Sequence, residues 1–261
     1  MTESLPAALR RERMLEVIGR TGFVRVADLS EAFQVSDVTV RSDLDALDRE
    51  QSIRRVHGGA VLRSPGMREP SFEEALASSA DEKQRIGLAA AALVEPGGSV
   101  LLDVGTTTAA IARALADREE LDGVTVITNG LSIALELERA IPRFQVVVTG
   151  GTLRPLQHSL VEPLASTLLR RMHADLAFIG CTGVHPTAGI TNVNLPEADL
   201  KRVMVGTATR AIVVADGSKL GRKHLGRIAA LGEVSELITG SSAPEGELAA
   251  LRAAGLPVTV A

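Results

Sequence analysis

Ser36-Asp37-Val38-Thr39-Val40-Arg41-Ser42-Asp43-Leu44-Asp45-Ala46-Leu47 reads as one helix with two unlike faces. Val40, Leu44 and Leu47 fall at i, i+4 and i+7 and form an apolar stripe. Val38, Arg41, Ser42 and Asp45 point the other way, toward solvent or a partner. Ser36 is placed to cap the first turn, its hydroxyl accepting from an otherwise unpaired amide. Asp43 borders the stripe and is expected to pair with a nearby arginine. A short amphipathic stretch, Val26 to Phe33, precedes this helix across the tight Gln34-Val35 connection. Two short helices joined in this way spell a helix-turn-helix.

The reading extends outward on both sides. Upstream, Leu9, Met14, Leu15 and Ile18 predict a first helix ending at Gly19, followed by a short extended piece around Phe23 and Val24. Downstream, Ile53-Arg54-Arg55-Val56-His57-Gly58-Gly59-Ala60-Val61-Leu62 alternates like a hairpin with Gly58-Gly59 at its turn. Three helices and a basic hairpin make a winged helix-turn-helix over residues 1–63. Ser36, Val38, Thr39, Arg41 and Ser42 are the expected major-groove residues: arginine suits guanine edges, and an exposed valine suits a thymine methyl. Arg54, Arg55 and His57 would meet phosphates or the minor groove from the wing; the alternative is a surface turn with solvated arginines.

Charge argues against nucleic acid. The chain carries 28 Lys and Arg against 32 Asp and Glu, a net −4, and within residues 1–63 ten arginines are matched by ten acidic residues. Any affinity for DNA must come from the arrangement of the arginines. At 45% apolar and 23% charged residues the composition is that of an ordinary globular protein. With no Trp or Tyr and five Phe, its core must be aliphatic. One cysteine, Cys181, excludes an internal disulfide framework and fits a reducing compartment. No secretory or membrane-spanning segment is evident, so a cytoplasmic location is expected.

Residues 64–98 read as linker and bridging helices. Arg63 to Pro70 has linker composition, Ser71 to Glu74 resembles a capping box, and a helix is predicted from Asp81 to Val94. From Ser99 onward the pattern changes. Val100–Asp103, Val124–Thr128, Phe144–Thr149, Leu176–Ile179 and Ala211–Ala215 are short, continuous apolar runs, the mark of strands covered on both faces. Helical segments (Thr108–Leu115, Leu131–Arg139, Leu164–Met172, Leu195–Ala208) separate them. Residues 99–261 are therefore expected to form an α/β domain with a mostly parallel, doubly wound sheet.

In such sheets ligands bind beyond the carboxyl ends of the strands. Those ends read Asp103-Val104-Gly105-Thr106-Thr107-Thr108, Thr128-Asn129-Gly130, Thr149-Gly150-Gly151, Gly180-Cys181-Thr182 and Asp216-Gly217-Ser218-Lys219. A glycine followed by threonines at a helix start offers free amides, hydroxyls and a positive helix terminus, which suits a phosphate. Lys219 would add a counter-charge, or else be a solvated surface residue. Asp103, Asn129 and Asp216 could bind sugar hydroxyls. No lysine follows Gly105 as a nucleotide-binding P-loop requires. The five histidines show no ligand spacing, so neither a metal nor another cofactor is assigned. Glu197 and Lys201, four apart, have the spacing of a surface ion pair, although Glu197 could face the ligand. Cys181 is expected to be a small thiol at the core edge.

These motifs together resemble the DeoR family of bacterial sugar-metabolism regulators. The resemblance rests on Ser36 to Leu44, on Arg54-Arg55-Val56-His57-Gly58-Gly59-Ala60, and on the strand-end motifs at Asp103, Thr128, Gly150 and Asp216, and runs from about Arg10 to beyond Gly221. It implies a repressor that binds operator DNA as a homo-oligomer. It further implies a C-terminal domain, similar in fold to ribose-5-phosphate isomerase, that senses a phosphorylated sugar or derivative. Ser42 stands where the family commonly has a basic residue, and Glu162 where a glycine commonly follows Ser159-Leu160-Val161. The competing reading is a sugar-phosphate isomerase carrying a DNA-binding domain. That chemistry needs a positioned general base, and Asp175 to Gly180 lacks the paired carboxylates of the isomerases. Binding without turnover is therefore expected, and no residue is assigned a catalytic role.

Overall fold

The computed structural model describes residues 5–21, 23–49, 53–56, 58–62 and 69–261, with the backbone alone at 19, 20, 49, 54, 56, 61 and 62. The chain divides into two compact units, residues 1–69 and 70–261.

The first unit comprises α1 (Ala7–Thr21), β1 (Phe23–Arg25), α2 (Val26–Phe33), α3 (Asp37–Arg49), β2 (Ile53–Val56) and β3 (Gly59–Leu62). Helix α1 runs past Gly19, where the sequence suggested a stop, because packing overrides the modest helical cost of one glycine. Met14, Ile18, Val26, Leu29, Val40, Leu44, Leu47 and Ile53 share its core. The strands form an antiparallel sheet in the order β1-β3-β2. Asp43 is buried and accepts from Arg10 Nε at 2.6 Å, so the border position carries an internal ion pair that pins α3 to α1.

The second unit opens with α4 (Phe72–Ala77) and α5 (Ala80–Ala91). Expected as a bridge, they are instead part of this unit's core: Phe72, Ile86, Ala90 and Ala91 are buried with residues of the central sheet. The capping box at α4 is present, Glu74 N–H donating to Ser71 Oγ and Ser71 N–H to Glu74 Oε2. Strands β4 (Ser99–Leu102), β5 (Val124–Thr128), β6 (Phe144–Val148), β9 (Ala174–Gly180), β12 (Ala208–Val214), β14 (Glu236–Thr239) and β15 (Val258–Val260) form one parallel sheet. Its order is β15-β14-β12-β9-β4-β5-β6. The last two strands are short, and β15 at the edge is largely exposed, so neither forms an apolar run long enough for the sequence pattern to single out.

Alternate residues of each strand serve different cores. Val100, Leu102, Val126, Phe178, Ile212 and Val214 pack with α5, α6 (Thr106–Asp117) and α7 (Leu131–Leu137). Leu101, Ile127, Ala177, Ile179 and Val213 pack with α8 (Leu164–Leu169), α9 (Leu195–Val205) and α10 (Glu245–Ala253). Burial on both faces is why these strands read as unbroken apolar runs. Two smaller antiparallel features sit on this frame: a hairpin of β7 (Thr152–Arg154) and β8 (Ser159–Val161), and a sheet in the order β10-β11-β13 (Gly183–His185, Gly189–Asn192, Gly226–Ala229). No described helix is long and apolar enough to cross a membrane.

Candidate functional site

The strand order fixes where a ligand can enter. From β4 the chain winds outward to β5 and β6, then returns to β9 on the other side of β4 and winds toward β15. The helices that follow β4 and β9 therefore leave on opposite sides, opening a crevice at the carboxyl ends of these two strands. Asp103 and Gly105 stand at one lip and Gly180 at the other.

Asp103 is fully buried. Its Oδ2 accepts from Gly180 N–H at 3.0 Å and from the ammonium of Lys201, while its Oδ1 has no hydrogen-bond partner among the described residues. Burial pushes the Asp103 carboxyl up to about 6, against the pull of Lys201. Burial works against the charge of Lys201 as well, but the carboxylates of Asp103 and Glu197 outweigh it and hold the ammonium above its usual value. Near neutral pH the two therefore form a buried ion pair.

Lys201 and Glu197 are not the surface pair their spacing suggested. Both are nearly inaccessible, because α9 turns this face onto the sheet. Glu197 Oε1 accepts from Arg154 Nη1 and Ser159 Oγ, both at 2.8 Å, and Asn194 Oδ1 caps the helix at Glu197 N–H. The sequence signal was there in Asn194, a good cap, three residues before an acidic one.

Gly105, at φ 145°, turns the chain from β4 into α6 in a conformation that disfavours any side chain with a Cβ. No side chain caps α6, so its first amides face the crevice mouth with the positive end of the helix. Thr106 and Thr107 are nearly buried, and the Thr108 hydroxyl donates to Gly105 O at 2.9 Å, bracing the turn. Helix α5 precedes β4 and α6 follows it, so both run antiparallel to the strand. Gly87 packs against Ala110, which brings Lys83, one turn earlier, level with the start of α6. Lys83 is buried and donates to Ala75 O and Ser78 O at 2.5 and 2.6 Å. Burial holds its ammonium below the usual value, opposed by Asp216 and reinforced by Lys219. Nothing in the sequence patterning had singled out Lys83.

The end of β12 supplies the next group. Asp216 is buried and accepts from Ser218 N–H at 3.1 Å, and Lys219 Nζ, partly exposed, lies 3.9 Å from Asp216 Oδ2. Glu82 accepts from Gly217 N–H at 3.0 Å and from Ser242 Oγ, fixing this turn against α5. On the β5 side, both ends of the Asn129 amide take part in the structure: Oδ1 accepts from Val104 N–H at 2.9 Å and Nδ2 donates to Leu160 O at 3.2 Å. Thr128 Oγ1 likewise accepts from Gly130 N–H. Asn129 thus shapes the crevice wall through both ends of its amide. Gly150, φ 69°, follows β6, which lies two strands from β4 at the sheet edge. Cys181 is half-buried, and burial pushes its thiol up to about 12, which disfavours the reactive thiolate. No group of His, Cys, Asp and Glu among the described residues can hold a metal ion.

In the first unit, Ser36 Oγ accepts from Thr39 N–H at 3.2 Å, and Val38, Arg41 and Ser42 are exposed on α3. Val38, at 76% exposure, is an apolar side chain presented to solvent. Arg55 behaves differently from the wing contact expected of it: Nη1 donates to Arg41 O at 3.1 Å and lies 3.2 Å from Asp45 Oδ1, tying the wing to α3. Arg54 is described by its backbone alone, on β2, and His57 lies outside the described residues.

Residues 10–65 match the DeoR-like helix-turn-helix domain and residues 78–241 the DeoR C terminal sensor domain. The HTH-type transcriptional regulator YulB of Bacillus subtilis is 34% identical, covering 97% of this chain and 96% of that protein. The glycerol-3-phosphate regulon repressor of Escherichia coli is 27% identical over 90% of this chain and 91% of its own. Among solved structures, a ribose 5-phosphate isomerase from Methanocaldococcus jannaschii aligns at 22% identity with a TM-score of 0.41, over 54% of this chain and 55% of that one. A helix-turn-helix unit followed by a crevice-bearing α/β unit, matched along both parts, identifies this chain as a member of the DeoR family of transcriptional regulators.

Proposed function

We propose that this protein represses a sugar-catabolism operon and that a phosphorylated sugar or sugar derivative controls its grip on operator DNA. The observation that carries the sensor half is Asp103 Oδ1, a buried acceptor without a partner among the described residues, set beside the uncapped first turn of α6. A buried acceptor left unmatched is costly, and a ligand hydroxyl would satisfy it. The phosphate would sit on the amides of Gly105, Thr106 and Thr107, with Lys219 and Lys83 supplying positive charge. Gly180 and Asp216 would border the sugar, while Thr108, Thr128 and Asn129 hold the walls. The name of the glycerol-3-phosphate regulon repressor supports a small phosphorylated polyol as the class of effector.

On the DNA side, Val38, Thr39, Arg41 and Ser42 would face the major groove, with Ser36 at the helix start near the backbone. A homo-oligomer would place two such helices on a two-fold operator. The effector regulates only if it binds the DNA-competent and DNA-incompetent arrangements with different affinity.

Fluorescence anisotropy on DNA flanking the gene, at fixed salt, with and without a panel of phosphosugars and their unphosphorylated counterparts, tests both halves. Selective DNA binding altered by a phosphosugar is expected, with the response lost in Thr107→Val and Lys219→Ala. Unchanged effector affinity in those two variants would rule the site out.

A further inference from the structure

The hairpin β7–β8 touches two regions that the sensor reading leaves unconnected. On one side Arg154 and Ser159 both donate to Glu197, one turn of α9 before Lys201. On the other side its turn grips the start of the second unit. Gln157 Nε2 donates to Pro70 O at 2.5 Å. The His158 ring stacks on Phe72 with centroids 5.1 Å apart. His158 Nε2 lies 3.2 Å from Glu73 Oε1, and Nδ1 is 2.7 Å from Ser132 Oγ. His158 holds φ at 54°, a left-handed conformation uncommon for a residue with a side chain and sustained only by surroundings that over-determine it. At the hairpin's other end Gly151, φ 127°, passes so close to Val161 that a Cβ would meet its carbonyl oxygen at 2.2 Å.

We propose that this hairpin is a strap coupling the Glu197 side of the crevice to Pro70–Glu73, the segment by which the chain enters its second unit. The physical basis is that both sets of directional bonds meet at the turn end of the hairpin, where Arg154 pairs with Ser159 and residues 155–158 join them directly to Gln157 and His158. A change in how Glu197 is held must therefore be absorbed by the hairpin or passed to α4. Absorption is disfavoured, because His158 is held at once by Phe72, Glu73 and Ser132, while its neighbour Gln157 is tied to Pro70 O. Its regulatory meaning rests on the sensor reading above: a ligand that repositions Glu197 or Lys201 would reset the hold on the residues leading to the DNA-binding unit. The coupling itself is a property of the free protein.

Hydrogen exchange followed by mass spectrometry on the full chain, without ligand, decides it. In Arg154→Ala, exchange is expected to rise about tenfold at residues 152–161 and also at 70–77, the scale of one lost charge-assisted hydrogen bond. The reciprocal variant Gln157→Ala/His158→Ala should raise exchange at 70–77 and at the first turn of α9. Faster exchange confined to the hairpin in Arg154→Ala, with 70–77 unchanged, overturns the proposal. Should Arg154→Ala lose its fold, Ser159→Ala removes the second bond to Glu197 more gently and is read in the same way. Because no phosphosugar enters this measurement, failure of the strap and failure of the sensor reading are separate results.

Discussion

Lys201 donates to Asp103 across the crevice, joining α9 to the end of β4 over a sequence separation of 98 residues. This pair is the electrostatic centre of the second unit, and both members are buried. Removing one partner leaves the other charged and alone. Lys201→Met is expected to destabilise the protein by about 3–5 kcal/mol, whereas Asp103→Asn/Lys201→Met recovers a large part of that loss. Urea unfolding of the single and double variants checks this; equal losses in both would show that the charges are not coupled.

The raised carboxyl of Asp103 gives stability a pH dependence of definite sign. Its value moves from 3.8 to about 6 on folding, so between these limits the folded state binds more protons than the unfolded. The contribution of Asp103 is thus most favourable near pH 4 and declines as pH rises to about 6, by about 3 kcal/mol in all, and is flat above. Other carboxylates titrate in the same window. The quantity to measure is the difference between wild type and Asp103→Asn from pH 4 to 8, which should shrink for the wild type as pH rises. A difference independent of pH would contradict it.

Arg41 and Arg55 should separate recognition from support. Arg41→Ala is expected to weaken operator binding by about 1–3 kcal/mol and to relax selectivity at one base pair. Arg55 holds the wing to α3 through a partly exposed pair, so Arg55→Ala should cost under about 1 kcal/mol of stability while weakening binding to all sequences alike. Anisotropy against the operator and a scrambled duplex at one salt concentration distinguishes the two patterns.

Asp43→Ala leaves Arg10 buried without its partner. A loss of about 3 kcal/mol is expected, and amides of α1 and α3 should exchange about a hundredfold faster. Exchange rates unchanged in α1 would show that the pair contributes nothing to the packing of the first unit.

Local patterns were enough for much of this molecule. The stripe of Val40, Leu44 and Leu47, the Ser36 cap, the wing and the five central strands all show their character within a dozen residues, because period and capping are local properties. The role of Asp43 was legible too, since a carboxylate beside an apolar stripe needs a cation. Asn129 was less legible for the opposite reason: an amide at a strand end can serve a ligand or a neighbouring loop, and its bonds to Val104 N–H and Leu160 O appear only once the chain is folded.

By itself the amino-acid sequence determined the two-part organisation, the helix-turn-helix and the doubly wound sheet, since these follow from periodicity and from apolar runs that must be covered on both faces. The tertiary structure alone decided which strand ends are neighbours. Chain winding sets β9 beside β4, turns Glu197 and Lys201 inward to meet Asp103, and carries Lys83 to the start of α6. Sequence spacing shows that Glu197 and Lys201 share a helix face. Whether that face meets water or a sheet depends on the packing of strands far away in the chain, and burial is what turns an ordinary pair of charges into a site.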